Sequence, residues 1–169
     1  MKLLLNPRIA NLLGALVCAG MMGFALFAQY GLKLEPCPLC ILQRVAVIAM
    51  GIVFAVAALH GPGRAGGFVY GALVAVAAGA GAGVAGRQVW LQNLPKDQVP
   101  ACGPGLDFML DTFGLGEALQ MVLSGSGECA DVAWRFLGLS MPSWVLLWCV
   151  VLGLFALWAN FRRRDEAAA

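Results

Sequence analysis

The chain has 169 residues, 61% of them hydrophobic and only 12% charged, with a formal net charge of +2 and a mean hydropathy of +0.83. So apolar a composition excludes an ordinary soluble domain. So small a charge gives no basis for nucleic acid as a partner.

No Asp, Glu, Lys or Arg occurs from Ile9 to Leu32, Val45 to Gly63, Ala65 to Gly86 or Phe136 to Phe161. Each gap reaches the roughly 18 apolar residues that let a helix cross a hydrocarbon layer about 30 Å thick. Helices also satisfy their own backbone groups there. The expected fold is an all-α membrane protein, a single membrane domain over 1–169 built as a four-transmembrane-helix bundle. Its helices are expected at about 9–30, 39–59, 66–89 and 143–161, with outward loops at about 31–38 and 91–142. The first apolar run exceeds the ~7–15-residue core of a cleaved signal, so it is expected to stay as an anchor.

Orientation follows from the basic residues. Lys2, Arg8, Arg64, Arg162, Arg163 and Arg164 all fall on one side of a four-span protein, which the positive-inside tendency makes cytoplasmic. The opposite loops hold Lys33, Lys96 and Arg135 against Glu35, Asp97, Asp107, Asp111, Glu117, Glu128 and Asp131. Both termini are therefore expected in the cytoplasm, with the two longer polar segments outside.

The turn His60-Gly61-Pro62-Gly63-Arg64 is rich in helix breakers. The third span carries small-xxx-small pairs such as Gly79/Gly83, a pattern that lets helices approach closely in a bundle. The segment 91–142 holds Pro95, Pro100, Pro104 and many glycines, so it forms no compact domain of its own. Within it, Leu115, Leu119, Val122 and Leu123 recur at helical spacing. They predict a short amphipathic helix, either lying on the outer membrane surface or packed on the bundle.

The six cysteines sort by depth. Cys18 and Cys149 fall mid-span, where a thiol behaves as a small inert hydrophobe. Cys37, Cys40, Cys102 and Cys129 fall on the outward side, an oxidising compartment for a bacterial membrane protein. Four cysteines allow three pairings; one Cys-x-x-Cys and one loop pair favour Cys37–Cys40 with Cys102–Cys129. Zinc is disfavoured, because Cys102 and Cys129 are far apart and the lone histidine, His60, is on the other side, so no metal is expected.

Pro38 suits the first position of the second helix, which sets Cys37-Pro38-Leu39-Cys40 at the positive end of a helix dipole. Arg44 follows Cys40 by four residues and so shares its face. A dithiol there, beside a fixed charge, has a lowered thiol pKa and can pass electrons from a water-soluble thiol to a lipid-soluble acceptor.

These motifs resemble the disulfide bond formation protein B (DsbB) family. Cys37-Pro38-Leu39-Cys40-Ile41-Leu42-Gln43-Arg44 is similar to its redox-and-quinone segment, and Cys102-Gly103-Pro104-Gly105-Leu106 to its first loop cysteine. Cys129 with Trp134-Arg135-Phe136-Leu137-Gly138-Leu139-Ser140-Met141-Pro142-Ser143-Trp144 is similar to its stretch leading into the fourth helix. The resemblance implies a protein-disulfide:quinone oxidoreductase of the bacterial inner membrane that reoxidises a DsbA-like periplasmic thiol oxidase. It implies that Cys102–Cys129 receives the electrons, Cys102 forming the transient bond to the client. Cys37–Cys40 then passes them to ubiquinone or menaquinone as acceptor, with Cys40 and Arg44 at the quinone. A DsbA-type client is itself a strong oxidant, at about −120 mV, so an ordinary stable disulfide would not reoxidise it.

The chain departs from the family in one respect. Many members place a histidine near the position of Gln88, and here His60 is the only histidine. Glutamine donates a hydrogen bond to a quinone oxygen but exchanges no proton near neutral pH; Arg87 is the neighbouring residue able to compensate. Three alternatives differ in class: a DsbB paralogue serving one client, a vitamin K epoxide reductase-like enzyme, and a non-enzymatic membrane protein with structural disulfides. In the second the Cys-x-x-Cys belongs to a later helix, and the third leaves Arg44 beside Cys40 unexplained.

Overall fold

The computed structural model describes residues 6–95, 97–100, 108, 111, 112 and 114–161. Cys102 and the segment after it, Lys2, Lys96, Asp107 and the basic run 162–164 lie outside the described residues. Four described helices are long and apolar enough to cross a membrane. They are α1 (Pro7–Tyr30), α2 (Pro38–His60), α3 (Arg64–Gln92) and α6 (Met141–Phe161).

All four helices begin one or two residues before their expected starts, and three of them take in a proline there. Pro7 and Pro38 occupy the first helical turn of α1 and α2, and Pro142 lies in the first turn of α6. A first-turn N–H has no intrahelical partner, so proline loses nothing there. The Asn6 side chain caps α1 by accepting from the Arg8 amide at 3.1 Å. At the end of α2, Gly61 takes a left-handed conformation (φ 56°) and its N–H bonds back to the Ala57 carbonyl, an αL termination that glycine makes without strain.

Helix α3 is central, packing against α2 on one side and α6 on the other, while α1 lies along α2. The bundle core is Cys18, Val47, Met50, Phe54, Val74, Ala78, Cys149, Leu152 and Ala156. Both mid-span cysteines are therefore packing groups. The glycine pair expected to mediate helix contact does not do so: Gly79 and Gly83 face outward with open space around them. The close approach is made by Gly81, where an added Cβ would lie 2.9 Å from the Cys149 sulfur and 3.1 Å from Ala46 Cβ. Several small residues crowd this helix, and its spacing alone does not say which face turns inward.

Helices α1 and α6 touch mainly at one end. There the buried Asn11 and Asn160 exchange amide hydrogen bonds at 3.4 and 3.3 Å, a polar link between apolar helices. At the other end they part.

Between α3 and α6 the chain forms α4 (Leu115–Ser124), the single turn α5 (Gly127–Ala130) and a hairpin of β1 (Arg135–Phe136) and β2 (Leu139–Ser140). The pairing is antiparallel, Arg135 opposite Ser140 and Phe136 opposite Leu139. Its two-residue turn, Leu137 and Gly138, has positive φ at both positions (51° and 82°), as a hairpin of type I′ requires. Helix α4 packs on the bundle through buried Val122, while Leu119 and Leu123 stay exposed. Arg87 of α3 donates to the carbonyls of Leu123 and Ser124 at 3.2 and 2.9 Å, so it caps the end of α4.

Gly81→Ala is expected to force α3 from its neighbours and cost about 1–3 kcal/mol. Gly83→Ala, facing open space, is expected to be neutral or slightly stabilising. Thermal unfolding in detergent distinguishes them; equal melting temperatures would contradict the assigned packing face.

Candidate active site

The N-terminus of α2 is buried under α3, α4 and α5. Leu39, with no exposed surface, packs with Cys37, Leu91, Val122 and Cys129 in a second apolar cluster. Pro38 begins the helix with Cys37 as its N-cap. One turn carries both thiols, so their sulfurs lie 3.1 Å apart.

The third sulfur comes from the loop. Cys129, 1% exposed, is brought by α5 into hydrogen-bonding contact with Cys37. Its sulfur also meets the Leu39 amide at the start of α2 and the Ser126 hydroxyl at 3.6 Å. These contacts define an unequal pair. Cys37, beside Cys129 and Cys40 and buried, has its thiol pushed far above the ordinary range. Cys129 is lowered to about 6, chiefly by the hydrogen bond from Cys37 and against the effect of burial, with help from Leu39 and Ser126. The hydrogen bond between them favours the proton on Cys37 and the thiolate on Cys129. The sulfurs thus run Cys129, Cys37, Cys40, from loop to helix.

Beyond Cys40 the run opens into a cavity of about 170 Å³. Its apolar wall comes from Met21, Met22 and Ala25 of α1, Val47 of α2, and Met141 and Val145 of α6. It occupies the end of the bundle where α1 and α6 part. Cys37, Cys40, Gln43, Arg44 and Gln88 form its polar side, and Glu35, Glu128, Asp131 and Trp134 also line it.

Arg44 reaches this cavity from α2, held by α1: its guanidinium donates to the Gln29 side-chain oxygen and, at 3.1 Å, to the Ala25 carbonyl. Among the described contacts its partners are on α1 and not the Cys40 sulfur. A guanidinium has five N–H donors, so two bonds leave capacity toward the cavity. Gln88, 3% exposed, donates its amide to the sulfurs of both Cys37 and Cys40 at 3.3 Å. Its carbonyl accepts from Gln43 at 2.6 Å. Arg87, the neighbour considered able to compensate for a missing histidine, is not among the cavity's walls; it lies over Trp90, 4.2 Å from the ring centroid.

Cys37, Cys40, Cys129, Arg44 and Gln88 are thus brought together, and Cys102 lies outside the described residues. Gln43 was not singled out by sequence reasoning. A signal existed: it follows Cys40 by three residues, hence on the same face, and is a neutral polar group in an otherwise apolar span.

The family model described as "Disulfide bond formation protein DsbB" matches residues 7–159. Three relatives named "Disulfide bond formation protein B" are similar over nearly their whole length. One from Chromobacterium violaceum is 54% identical over 164 residues, 97% of this chain and 99% of its own. One from Nitrosococcus oceani is 55% identical over 154 residues, 91% of each chain. One from Xanthomonas campestris pv. campestris is 51% identical over 158 residues, 93% of this chain and 92% of its own.

If the Cys37 thiol holds Cys129 as a thiolate, Cys37→Ala is expected to move the pH midpoint of Cys129 alkylation in the reduced protein upward. The midpoint would go from about 6 toward the ordinary value of about 8.5. An unchanged midpoint would contradict the contact.

Proposed function

The chain belongs to the disulfide bond formation protein B family, and on that basis we propose that it couples thiol oxidation outside the bacterial cytoplasmic membrane to reduction of a membrane quinone. Its donor is a DsbA-like thiol oxidase of the periplasm. In this reading both termini are cytoplasmic, the cysteine-bearing end of the bundle is periplasmic, and exposed Leu119 and Leu123 of α4 rest on the membrane surface. The observation that carries the reading is the run of sulfurs Cys129, Cys37 and Cys40 ending at a cavity shared with Arg44.

The resting protein holds Cys102–Cys129 and Cys37–Cys40 as disulfides. A client thiolate attacks the Cys102 sulfur; the client–Cys102 bond forms, Cys102–Cys129 breaks, and Cys129 leaves as thiolate. The Leu39 amide and the Ser126 hydroxyl, which meet the Cys129 sulfur, stabilise it as the leaving thiolate, and low-pKa thiols leave faster. Cys129 then attacks Cys37, its neighbour. Cys129–Cys37 forms, Cys37–Cys40 breaks, and Cys40 is released as thiolate toward the cavity, where the Gln88 amide meets it. The client's second thiolate resolves its bond to Cys102 and departs oxidised. Cys102 attacks Cys129, restoring that disulfide and leaving Cys37 and Cys40 as the dithiol. When bound, the quinone accepts two electrons and two protons from this pair, so one client dithiol is oxidised for each quinone reduced.

The cavity fits such an acceptor. About 150 Å³ of apolar space holds a benzene ring, and this cavity has about 170 Å³. Arg44 supplies donors for a ring oxygen at its polar side. Ubiquinone or menaquinone is the acceptor in this reading.

Quinone consumption by the purified protein in detergent, with reduced DsbA as donor, tests the reading. Cys40→Ser is expected to reduce turnover to background; turnover persisting in it would remove Cys40 from the path. Arg44→Ala is expected to raise the quinone KM about tenfold or more, the worth of a hydrogen bond from a charged group, with little change in client exchange. An unchanged KM would remove Arg44 from the quinone site.

A further inference from the structure

We infer that Gln43 is a positioning residue that sets the redox potential of the Cys37–Cys40 couple through Gln88. The inference deepens the proposed function and rests on its premise that Cys37–Cys40 is a redox couple.

The geometry is directional. Gln43 of α2 donates to the Gln88 carbonyl oxygen at 2.6 Å. With its oxygen fixed there, the Gln88 NH2 group lies 3.3 Å from the Cys37 sulfur and 3.3 Å from the Cys40 sulfur. The Gln88 oxygen also accepts from the Cys40 thiol, at the longer distance of 3.6 Å. Were Gln88 turned over, its oxygen would face the sulfurs and its NH2 group would oppose the NH2 of Gln43. With Gln43 donating to its oxygen, Gln88 presents its own donors to the two sulfurs. Both glutamines are buried, at 4% and 3% exposed, so no bulk water competes for these bonds.

The consequence is electrostatic. Sulfur as a thiolate is a far better acceptor than sulfur in a disulfide, because charge-assisted hydrogen bonds are the strong ones. Two donors aimed at these sulfurs stabilise the reduced form of the couple over the oxidised form. A disulfide whose reduced form is stabilised is the stronger oxidant, as a carrier downstream of an already strong oxidant must be. Unlike a histidine, an amide keeps its donors at any physiological pH, so this assistance is independent of the pH outside. Gln88 touches the reacting atoms and is a catalytic residue. Gln43 acts only by holding it.

The experiment is a redox titration of the Cys37–Cys40 peptide in glutathione buffers, read by differential alkylation and mass mapping. The full chain is used, in quinone-free detergent. Gln88→Met is expected to shift the thiol–disulfide equilibrium about tenfold toward the disulfide, which is about 30 mV more negative. Gln43→Met is expected to shift it in the same direction by about threefold, for loss of a neutral hydrogen bond. The double variant is expected to match Gln88→Met, because Gln43 has nothing to position once the amide is gone. A general packing defect would instead add its own increment and would not select the sign of the potential. A folded Gln43→Met protein with the wild-type potential overturns the proposal, and so does full additivity in the double variant. Should the double variant not fold, the Gln43→Met potential alone decides. Neither donor protein nor quinone enters the measurement. Failure of wild-type turnover with an intact shift would therefore sink the quinone reading alone, and normal turnover with no shift would sink this one alone.

Discussion

The site depends on the packing of Leu39 against Leu91 and Val122. These residues come from α2, α3 and α4, and together they bury the first turn of α2. Burying an apolar side chain of this size is worth about 1.5–3 kcal/mol, and the cluster spends it on holding a loop against a helix end. That contact leaves Cys129 beside Cys37 and beneath the Leu39 amide. Without it Cys37 and Cys40 would still neighbour each other, because one helical turn sets their spacing. The link to the loop would be lost, and with it the run of neighbouring sulfurs on which the proposed relay depends.

The two ends of the bundle divide the remaining work. At one end the Asn11–Asn160 amides tie α1 to α6, and Gly61 and the Asn6 cap define where α2 and α1 terminate. At the other end α1 and α6 separate, and the gap is the cavity. Arg44 and Gln88 cross it differently: the guanidinium is braced on α1, and the amide is braced on Gln43 and turned to the sulfurs. Charge and hydrogen-bond donation thus come from two independently supported groups. The sulfurs of Cys129, Cys37 and Cys40 are neighbours, so the proposed exchange between Cys129 and Cys37 needs no large movement of the helices.

Much of this was legible in the sequence because the bilayer imposes a strong pattern. Charge-free runs reported all four spans, and the Cys-x-x-Cys with Arg44 pointed to one side of one cavity. Helices α1, α2 and α6 start one or two residues earlier than the apolar runs suggest, because Pro7, Pro38 and Pro142 are accommodated in their first turns. The hairpin at 135–140 gave little signal. Its positive-φ pair is Leu137 and Gly138, and leucine replaces the Asn or Gly that normally marks such a turn. Gly81 was indistinguishable from Gly79 and Gly83 by composition. The proximity of Cys129 to Cys37 spans 92 positions along the chain and lies in no local pattern. Gln43 was passed over because a glutamine among apolar residues does not announce which partner it meets.

The most direct measurement of the central claim, that electrons pass from Cys129 to Cys37 to Cys40, is the disulfide inventory of the wild-type protein during turnover. Samples mixed with reduced DsbA and quinone would be acid-quenched, alkylated and mapped by mass spectrometry. The account predicts a Cys37–Cys129 linkage that appears before quinone is reduced and decays as Cys37–Cys40 returns. Full-rate quinone reduction without that linkage at any time would contradict it.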